Sequence, residues 1–581
     1  MYQVVEENIL GARIITVDRR YWSETSGIEY IQQLAFKEDL EAIKVAIGGN
    51  YFSVCCFSAA LKYIDMSLSL TFAFHSLRVK YQPSEDSMMI DLATIQSLEL
   101  IQNLQNAKSK DCLFGLMNET LTPMGSRLLR SNILQPSTQP SLLTARYDAL
   151  AELSENEDLF LQTRQALKSI PDIEKLLSCL IVIPTNPGIW NSEQDINNIL
   201  MLKSFAQSIG PVFESLTGAR SELLVQIRSN CRIEVVDSTL QLINEVINED
   251  VTYQVTPLDL RNQRTYAVKA GVSGFLDVAR QTFKEATEDV HQHVTEIHQK
   301  YEMQGETKFD NLRRYYLRFS ETEFDGRSIP DVLINRFRRK GKIEDSHIEV
   351  ILGSDKTIQE LLENVRSEIP SLFRVCESIA MLDMITSFGQ LVTSQDSYVR
   401  PEITDCIAIK SGRHPIRDKL PSQNFVPNDY YATQQSRFQV ITGCNMSGKK
   451  ISMRKSLAIV DELGRGTSTR DGLAIALSIA EALAESRALI WFATHFKELA
   501  QIMSERPGVE VYHLSVDMSD PNTMTMLYQL GQGCVQEQHY GLALARVVDL
   551  PPKVLTVAEK VSKILISQTA AKQMSSRGVC D

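Results

Sequence analysis

Three short stretches carry residues whose types and spacing suit the handling of a nucleoside triphosphate. In the first, Gly443 is followed after four residues by Gly448 and Lys449. Glycines so spaced let backbone N–H groups wrap phosphate oxygens, and the lysine reaches the β and γ oxygens. Asn445, Met446 and Ser447 complete that loop. In the second, the apolar run Leu457 to Val460 ends in Asp461 and Glu462. A buried strand delivering two acids suits one carboxylate on a magnesium shell and one polarising the attacking water. The third, "ALIWFATH" from Ala488, ends at His495, placed to sense a γ-phosphate. Each feature alone is weak, and a lone histidine is as readily a core residue. Three apolar strands ending in polar residues at corresponding places point together to an α/β nucleotide site.

The elements that must position these groups are legible in the same way. "RFQVITG", Arg437 to Gly443, is a β-branched run ending in glycine and predicts a buried strand. From about Ala93 to Val246 the pattern is helical, with loops marked by Pro136, Pro140, Pro184 and Pro187. A longer helix is predicted from Gly274 to Met303. Its apolar positions Leu276, Ala279, Phe283, Ala286, Val290, Val294, Ile297 and Tyr301 step by three and four, the seam of a helix leaning on one partner. A second stripe runs from Ile358 to Ile379, with Pro370 expected to bend it. Two long helices flanking a short insert predict a pair of arms with something at their tip.

That insert, about Phe309 to Val350, reads as β-like and basic. "NRFRRKGK" gathers Arg336, Arg338, Arg339, Lys340 and Lys342, a cluster that could grip DNA phosphates; a solvated loop or an import signal is the plainer alternative. His291, His293 and His298 do not read as a metal site, because positions two apart on a helix point to nearly opposite sides.

Bulk properties set the limits. A chain of 581 residues exceeds what one core supports, so several domains are expected. Its formal net charge of −12 argues against wholesale coating of nucleic acid and leaves room for a local basic patch. Ten cysteines without CxxC spacing predict neither zinc nor a disulfide framework, and fit a reducing compartment, cytosol or nucleus. The apolar run Tyr51 to Phe74 contains Lys62 and Asp65, so a buried helix followed by a strand is expected rather than a membrane span. Glu6 and Glu7 stand where a secretory leader wants basic residues.

With these residues in hand, a family resemblance is plain. "ITGCNMSGK", "VDELGRGTSTRDG" and "FATHFKEL" resemble the ATPase of the MutS family of DNA mismatch-recognition proteins. "SGRHP" (Ser411–Pro415) and "FVPND" (Phe425–Asp429) resemble the strand region before the family's phosphate loop, where an aromatic stacks on adenine; Phe425 is the candidate. "IDLATIQSLEL" and "LFGLMNETLTPMGSRLLRSNILQP" resemble the start of the family's core and levers, and "YGLALARVVDLPPKVLTVAEKV" its C-terminal dimerisation segment. "RYWSETSGIEYI", "AALKYID" and "RYYLRFSETEFDGRSIPDVLINRFRRKGKIE" most resemble the meiotic crossover branch.

The resemblance implies a multidomain, mainly α-helical lever and core with a small β-rich clamp, joined to an α/β P-loop ATPase domain. The implied divisions are a connector remnant at 1–46, core and lever helices at 47–272, and a lever arm at 273–308. A DNA-contacting clamp at 309–352, a returning lever helix at 353–400, the ATPase domain at 401–545 and a helical dimerisation segment at 546–581 follow. Implied too are ATP and Mg²⁺ as cofactors, with Asp461 on the metal indirectly, and Glu462 and His495 as the catalytic pair. The implied partners are branched or double-stranded DNA, Holliday junctions included, and a second meiotic MutS homologue as heterodimer partner. The implied setting is the chromosomes of the nucleus, with no membrane.

One interval departs from that pattern. The family's loop continues GK and then Ser or Thr; here Lys450 follows, and an ammonium repels Mg²⁺. Only seven residues, Lys450 to Ser456, separate Lys449 from the strand at Leu457. The family places a long helix and a further strand there, so weak or absent ATP hydrolysis is expected. The short interval fits either coding sequence passed over at an intron or a degenerate ATPase. Three other readings stay open: a coiled-coil ATP-cassette protein of chromosome structure, a structural DNA-clamp subunit without turnover, and a MutS homologue of DNA mismatch repair.

Overall fold

The computed structural model describes residues 14–82, 86–184, 189–251, 265–302, 305–310, 314–318, 357–394, 398–419, 425–442, 456–464, 467–517, 525–534 and 551–577. Contacts divide the chain into two compact units. One combines Met1–Ile90 with Met117–Val399, the other Asp91–Leu116 with Arg400–Asp581. By its contacts the segment Asp91–Leu116 groups with the C-terminal unit.

The first unit is helical. Helix α1 (Tyr51–Leu68) leads into strand β1 (Leu70–Phe72), so the apolar run is a helix and then a strand. The helix buries Val54, Cys55, Ala59 and Leu61 on one side only, while Phe52 is 82% exposed. Helix α2 (Pro123–Leu134) opens on a proline, whose missing N–H costs nothing in a first turn, and is capped by Thr122. Strand β2 (Val182–Pro184) pairs antiparallel with β1. Helix α3 (Ile189–Ser215) threads the core through Ile199, Leu202, Phe205 and Ile209.

Helix α4 (Gly274–Tyr301) is the predicted arm; every position of its seam from Leu276 to Tyr301 is buried or half-buried. Its base is held by two buried cations that bond carbonyl oxygens. Lys203 of α3 donates to Asn248 O (2.9 Å) and Glu249 O (2.8 Å), and Arg280 to Thr265 O and Val268 O (both 2.7 Å). Strands β3 (Glu306–Asp310) and β4 (Arg314–Arg318) follow as an antiparallel hairpin, with Glu306 opposite Arg318.

Helix α5 (Ile369–Thr393) is the axis of the unit, long and apolar enough to cross a bilayer but 72% buried in its most apolar window. The stripe from Ile358 to Ile379 is broken just ahead of Pro370 rather than bent within one helix. Residues 357–366 form a separate helix, a turn follows, and Pro370 sits in the first turn of α5, where its fixed φ starts a helix rather than kinking one. Fully buried Asp383 of α5 accepts from Leu121 N (2.9 Å), Thr122 N (2.7 Å) and Thr122 Oγ1 (2.6 Å), anchoring the start of α2. Burial pushes its carboxyl above the ordinary range against the pull of these donors. A Cβ at Gly125 would lie 2.3 Å from Asp383 Oδ2, so this close approach requires glycine.

The second unit holds an antiparallel pair, β5 (Ile407–Gly412) and β6 (Asn428–Ala432), and a five-stranded sheet. The sheet comprises β7 (Phe438–Thr442), β8 (Leu457–Asp461), β9 (Leu489–Thr494), β10 (Val509–Asp517) and β11 (Thr525–Gln532). Its order is β11-β10-β7-β9-β8, parallel except for β11. Phe438, Val440, Ala458, Val460, Ile490 and Phe492 pack one face against α6 (Thr469–Glu485) and α7 (Lys497–Met503). A final helix, α8 (Pro552–Arg577), leaves Val554, Val557, Val561, Ile564 and Leu565 about half exposed.

Strand β8 differs from the expectation of a buried strand. It ends the sheet among the described strands, and Leu457 and Ile459 on its second face are 52% and 58% exposed. Because β9 lies between β7 and β8, the chain must return a strand's length and pass two strand spacings sideways, about 17 Å. Fourteen residues (443 to 456) can cover that distance, even at a helical rise of about 1.5 Å per residue.

Candidate nucleotide-binding site

The register of the parallel strands brings the candidate residues to one edge. Thr442 of β7 lies beside Thr494 of β9 and His513 of β10, and Asp461 of β8 beside Ala493 of β9. Glu462 and His495 therefore leave the sheet at its carboxyl edge, the edge at which β7 also ends and where open α/β sheets bind ligands. Asp461 is two strand spacings, about 10 Å, from the end of β7.

Glu462 is the most constrained of them. It is 9% exposed, its N–H donates to Ala493 O at 2.9 Å, and its φ is +46°. A non-glycine residue pays about 1 kcal/mol for that left-handed conformation, and such outliers gather at functional sites. The turn beyond it is fixed by Gly464, whose φ is +87° and whose added Cβ would fall 2.5 Å from Gly472 O. Gly472 lies in the first turn of α6. Ser468 caps that helix, accepting from Asp471 N at 3.3 Å and donating to Asp471 Oδ2 at 2.6 Å.

His495 is exposed at the end of β9, its ring 4.1 Å from that of Phe496. Phe496 is buried, and its N–H donates to Thr494 Oγ1 at 3.1 Å. Thr442 Oγ1 donates to Tyr512 O at 3.2 Å, tying the end of β7 to β10. Phe425 is half-buried just ahead of β6. Gly443, Asn445, Met446, Ser447, Gly448, Lys449 and Lys450 lie outside the described residues, as do Arg336, Arg338, Arg339, Lys340 and Lys342.

A profile of MutS domain III matches residues 93–389, just over half of the chain, and one of MutS domain V matches 450–566. The chain belongs to the MutS family. It is 29% identical over 660 residues to MutS protein homolog 4 of Homo sapiens, covering 99% of this chain and 70% of that protein. It is 30% identical over 648 residues to MutS protein homolog 4 of Saccharomyces cerevisiae, covering 97% and 73%. The DNA mismatch repair protein MSH4 of Arabidopsis thaliana is 28% identical over 658 residues, covering 97% and 83%. The matched stretch of 660 residues exceeds the chain's 581, so at least 79 of its positions (660 − 581) have no counterpart here.

Within this MutS chain, the features least legible from residue type are those that fix the turns. Gly464 and Gly472 were visible only as members of "DELGRGTSTRDG", and Thr442 and Thr494 only as strand ends. Of the histidines of α4, His291 is exposed while His293 and His298 are half-buried: His293 Nδ1 lies 3.4 Å from Glu296 Oε2, and His298 Nε2 accepts from Gly305 N at 3.2 Å. Among the described residues no group of three metal-ligating side chains converges.

Proposed function

We propose that this MutS-family chain is a DNA-holding subunit of meiotic recombination whose C-terminal unit binds adenine nucleotide. The observation that carries the nucleotide half is the shared carboxyl edge of β7, β8 and β9, with strained Glu462 beside the strand that ends in His495. In this reading Gly443, Asn445, Met446, Ser447, Gly448 and Lys449 wrap the phosphates, Phe425 stacks on adenine, and Glu462 and His495 face the γ-phosphate. The likeness to MutS protein homolog 4 supports the meiotic setting and a nuclear, chromosomal location. Branched DNA as the ligand, held as a sliding clamp, and a second MutS homologue as partner belong to the same proposal.

The DNA half rests on the arm α4 and on the basic cluster Arg336, Arg338, Arg339, Lys340 and Lys342, assigned to a clamp at 309–352. The apolar stripe of α8, within the proposed dimerisation segment 546–581, is the candidate seam for the partner.

The donor set does not fit a firmly held magnesium ion. Asp461 ends β8 at the site, but position 450 offers an ammonium where a hydroxyl would ligate the metal. No hydrolytic step is assigned on that account, and a clamp subunit that binds nucleotide without turnover is favoured for the chain as it stands. Titrating a fluorescent ATP analogue with and without Mg²⁺, alongside phosphate release, tests this. Binding that is indifferent to Mg²⁺, with negligible release, is expected; Mg²⁺-dependent turnover at several per second would overturn it.

A further inference from the structure

We propose that Asn428 and Asp429 are positioning residues that bolt the β5–β6 hairpin to the main sheet and so hold Phe425 at the nucleotide site. The inference rests on the nucleotide reading above for Phe425, but the bolt itself is a matter of geometry.

Two strand irregularities converge on these adjacent side chains. Between the pairs Leu514–Leu530 and Val516–Met526, β10 advances two residues and β11 four. Inside that bulge Tyr528 has φ +54°, a costly conformation for a bulky residue. The bulge turns two backbone groups away from β10, and the Asn428 amide takes both. Its Nδ2 donates to Tyr528 O at 2.9 Å, and its Oδ1 accepts from Leu530 N at 2.9 Å. A side-chain amide thereby supplies the donor and acceptor that a further strand would offer.

The second irregularity lies within the hairpin. Between Ile409–Tyr430 and Gly412–Asn428, β5 advances three residues and β6 two. Ser411, in the extra length, has φ +53°, and its N–H donates to Asp429 Oδ1 at 2.7 Å. Asp429 thus closes the hairpin on itself while Asn428 closes it on the sheet. Phe425 is three residues ahead of this double anchor, with Pro427 stiffening the approach. Displaced backbone groups must find partners, and here that role falls to the side chains of Asn428 and Asp429.

The test uses the full chain and its Asn428→Ala, Asn428→Asp and Tyr528→Gly variants. Hydrogen exchange is followed in peptides from 407–412 and 425–432. Binding of a fluorescent ATP analogue is compared with binding of inorganic tripolyphosphate. In Asn428→Ala the hairpin should exchange about tenfold faster, while peptides from β7 and β9 stay unchanged. The ATP analogue should weaken about tenfold and tripolyphosphate keep its affinity, because only the base platform has moved. Asn428→Asp should behave alike, since it loses the donor to Tyr528 O. Tyr528→Gly should retain both bonds and wild-type affinity. Unchanged hairpin exchange in Asn428→Ala overturns the bolt. Equal loss of both ligands overturns the positioning role. A wild-type chain that binds neither ligand overturns the nucleotide reading instead, and exchange alone then decides the bolt.

Discussion

Gly464 and Gly472 meet backbone to backbone: a Cβ on either would fall 2.5 Å from the other's carbonyl oxygen. The turn after Glu462 is thereby pressed against the first turn of α6, and Glu462 inherits its φ of +46° from a turn with no room to relax. Replacing either glycine by alanine should cost about 2–4 kcal/mol, through collision at both sites and added strain at Gly464. Gly271, with φ +84° and open space around its Cβ position, isolates the conformational part and should cost only about 1 kcal/mol. Chemical denaturation of the three variants measures the difference; equal losses would mean that the contact is unimportant.

The uncovered face of β8 sets a second expectation. Ile459→Lys should leave stability within about 0.5 kcal/mol of the parent, because Ile459 is 58% exposed. The same change should suppress association, since an apolar edge strand is a template for pairing with other chains. Light scattering during thermal ramps reports the second effect. A loss of several kcal/mol would show that this face is buried in solution.

Asp383 is expected to behave as a structural anchor. Asp383→Ala strands the N–H groups of Leu121 and Thr122 inside the helical unit, where Asp383 is fully buried. A loss of about 2–4 kcal/mol follows from unsatisfied donors together with the cavity left behind. Asp383→Asn keeps the shape and one acceptor oxygen, and should lose less. Unfolding followed by circular dichroism in urea ranks the two; the reverse order would contradict the hydrogen-bond account.

A pH dependence follows from Arg127. Its guanidinium, 2.5 Å from Asp172 and 2.6 Å from Glu174, holds the Asp172 carboxyl below its ordinary value of 3.8. A carboxylate with a depressed folded-state pKa stabilises above the unfolded value, and loses that contribution as pH falls through the folded one. Asp172→Asn keeps a capping side chain for the following helix and deletes only the charge. It should cost about 0.5–1 kcal/mol at neutral pH, because Arg127 is half exposed, and progressively less as pH falls below the unfolded value of 3.8 through the depressed folded one. Stability measured from pH 7 down to pH 3 checks the sign; a gap that widens in acid would refute it.

Much of this was legible in residue order. The seam of α4, the strands β7, β8 and β9, and the carboxyl-edge grouping of Asp461, Glu462 and His495 follow from periodicity and from where apolar runs stop. Those signals are local, and local steric and solvation rules read them directly. The bend at Pro370 was not legible, because a proline that kinks a helix and one that opens a helix look alike until the chain before it is seen to turn. Nor was the exposure of Leu457 and Ile459, since an apolar strand carries no mark of whether a neighbour covers it.

The sequence by itself determined the chemistry on offer: a phosphate-loop spacing followed by a second lysine, two acids and a histidine. Only the tertiary structure decided how the acids and the histidine are held. The meeting of Gly464 with Gly472, the insertion of β9 between β7 and β8, and the grip of Asn428 on β11 each join residues distant in the chain. Such joins depend on strand order and close packing, which are properties of the assembled sheet and leave no periodic trace in any one segment.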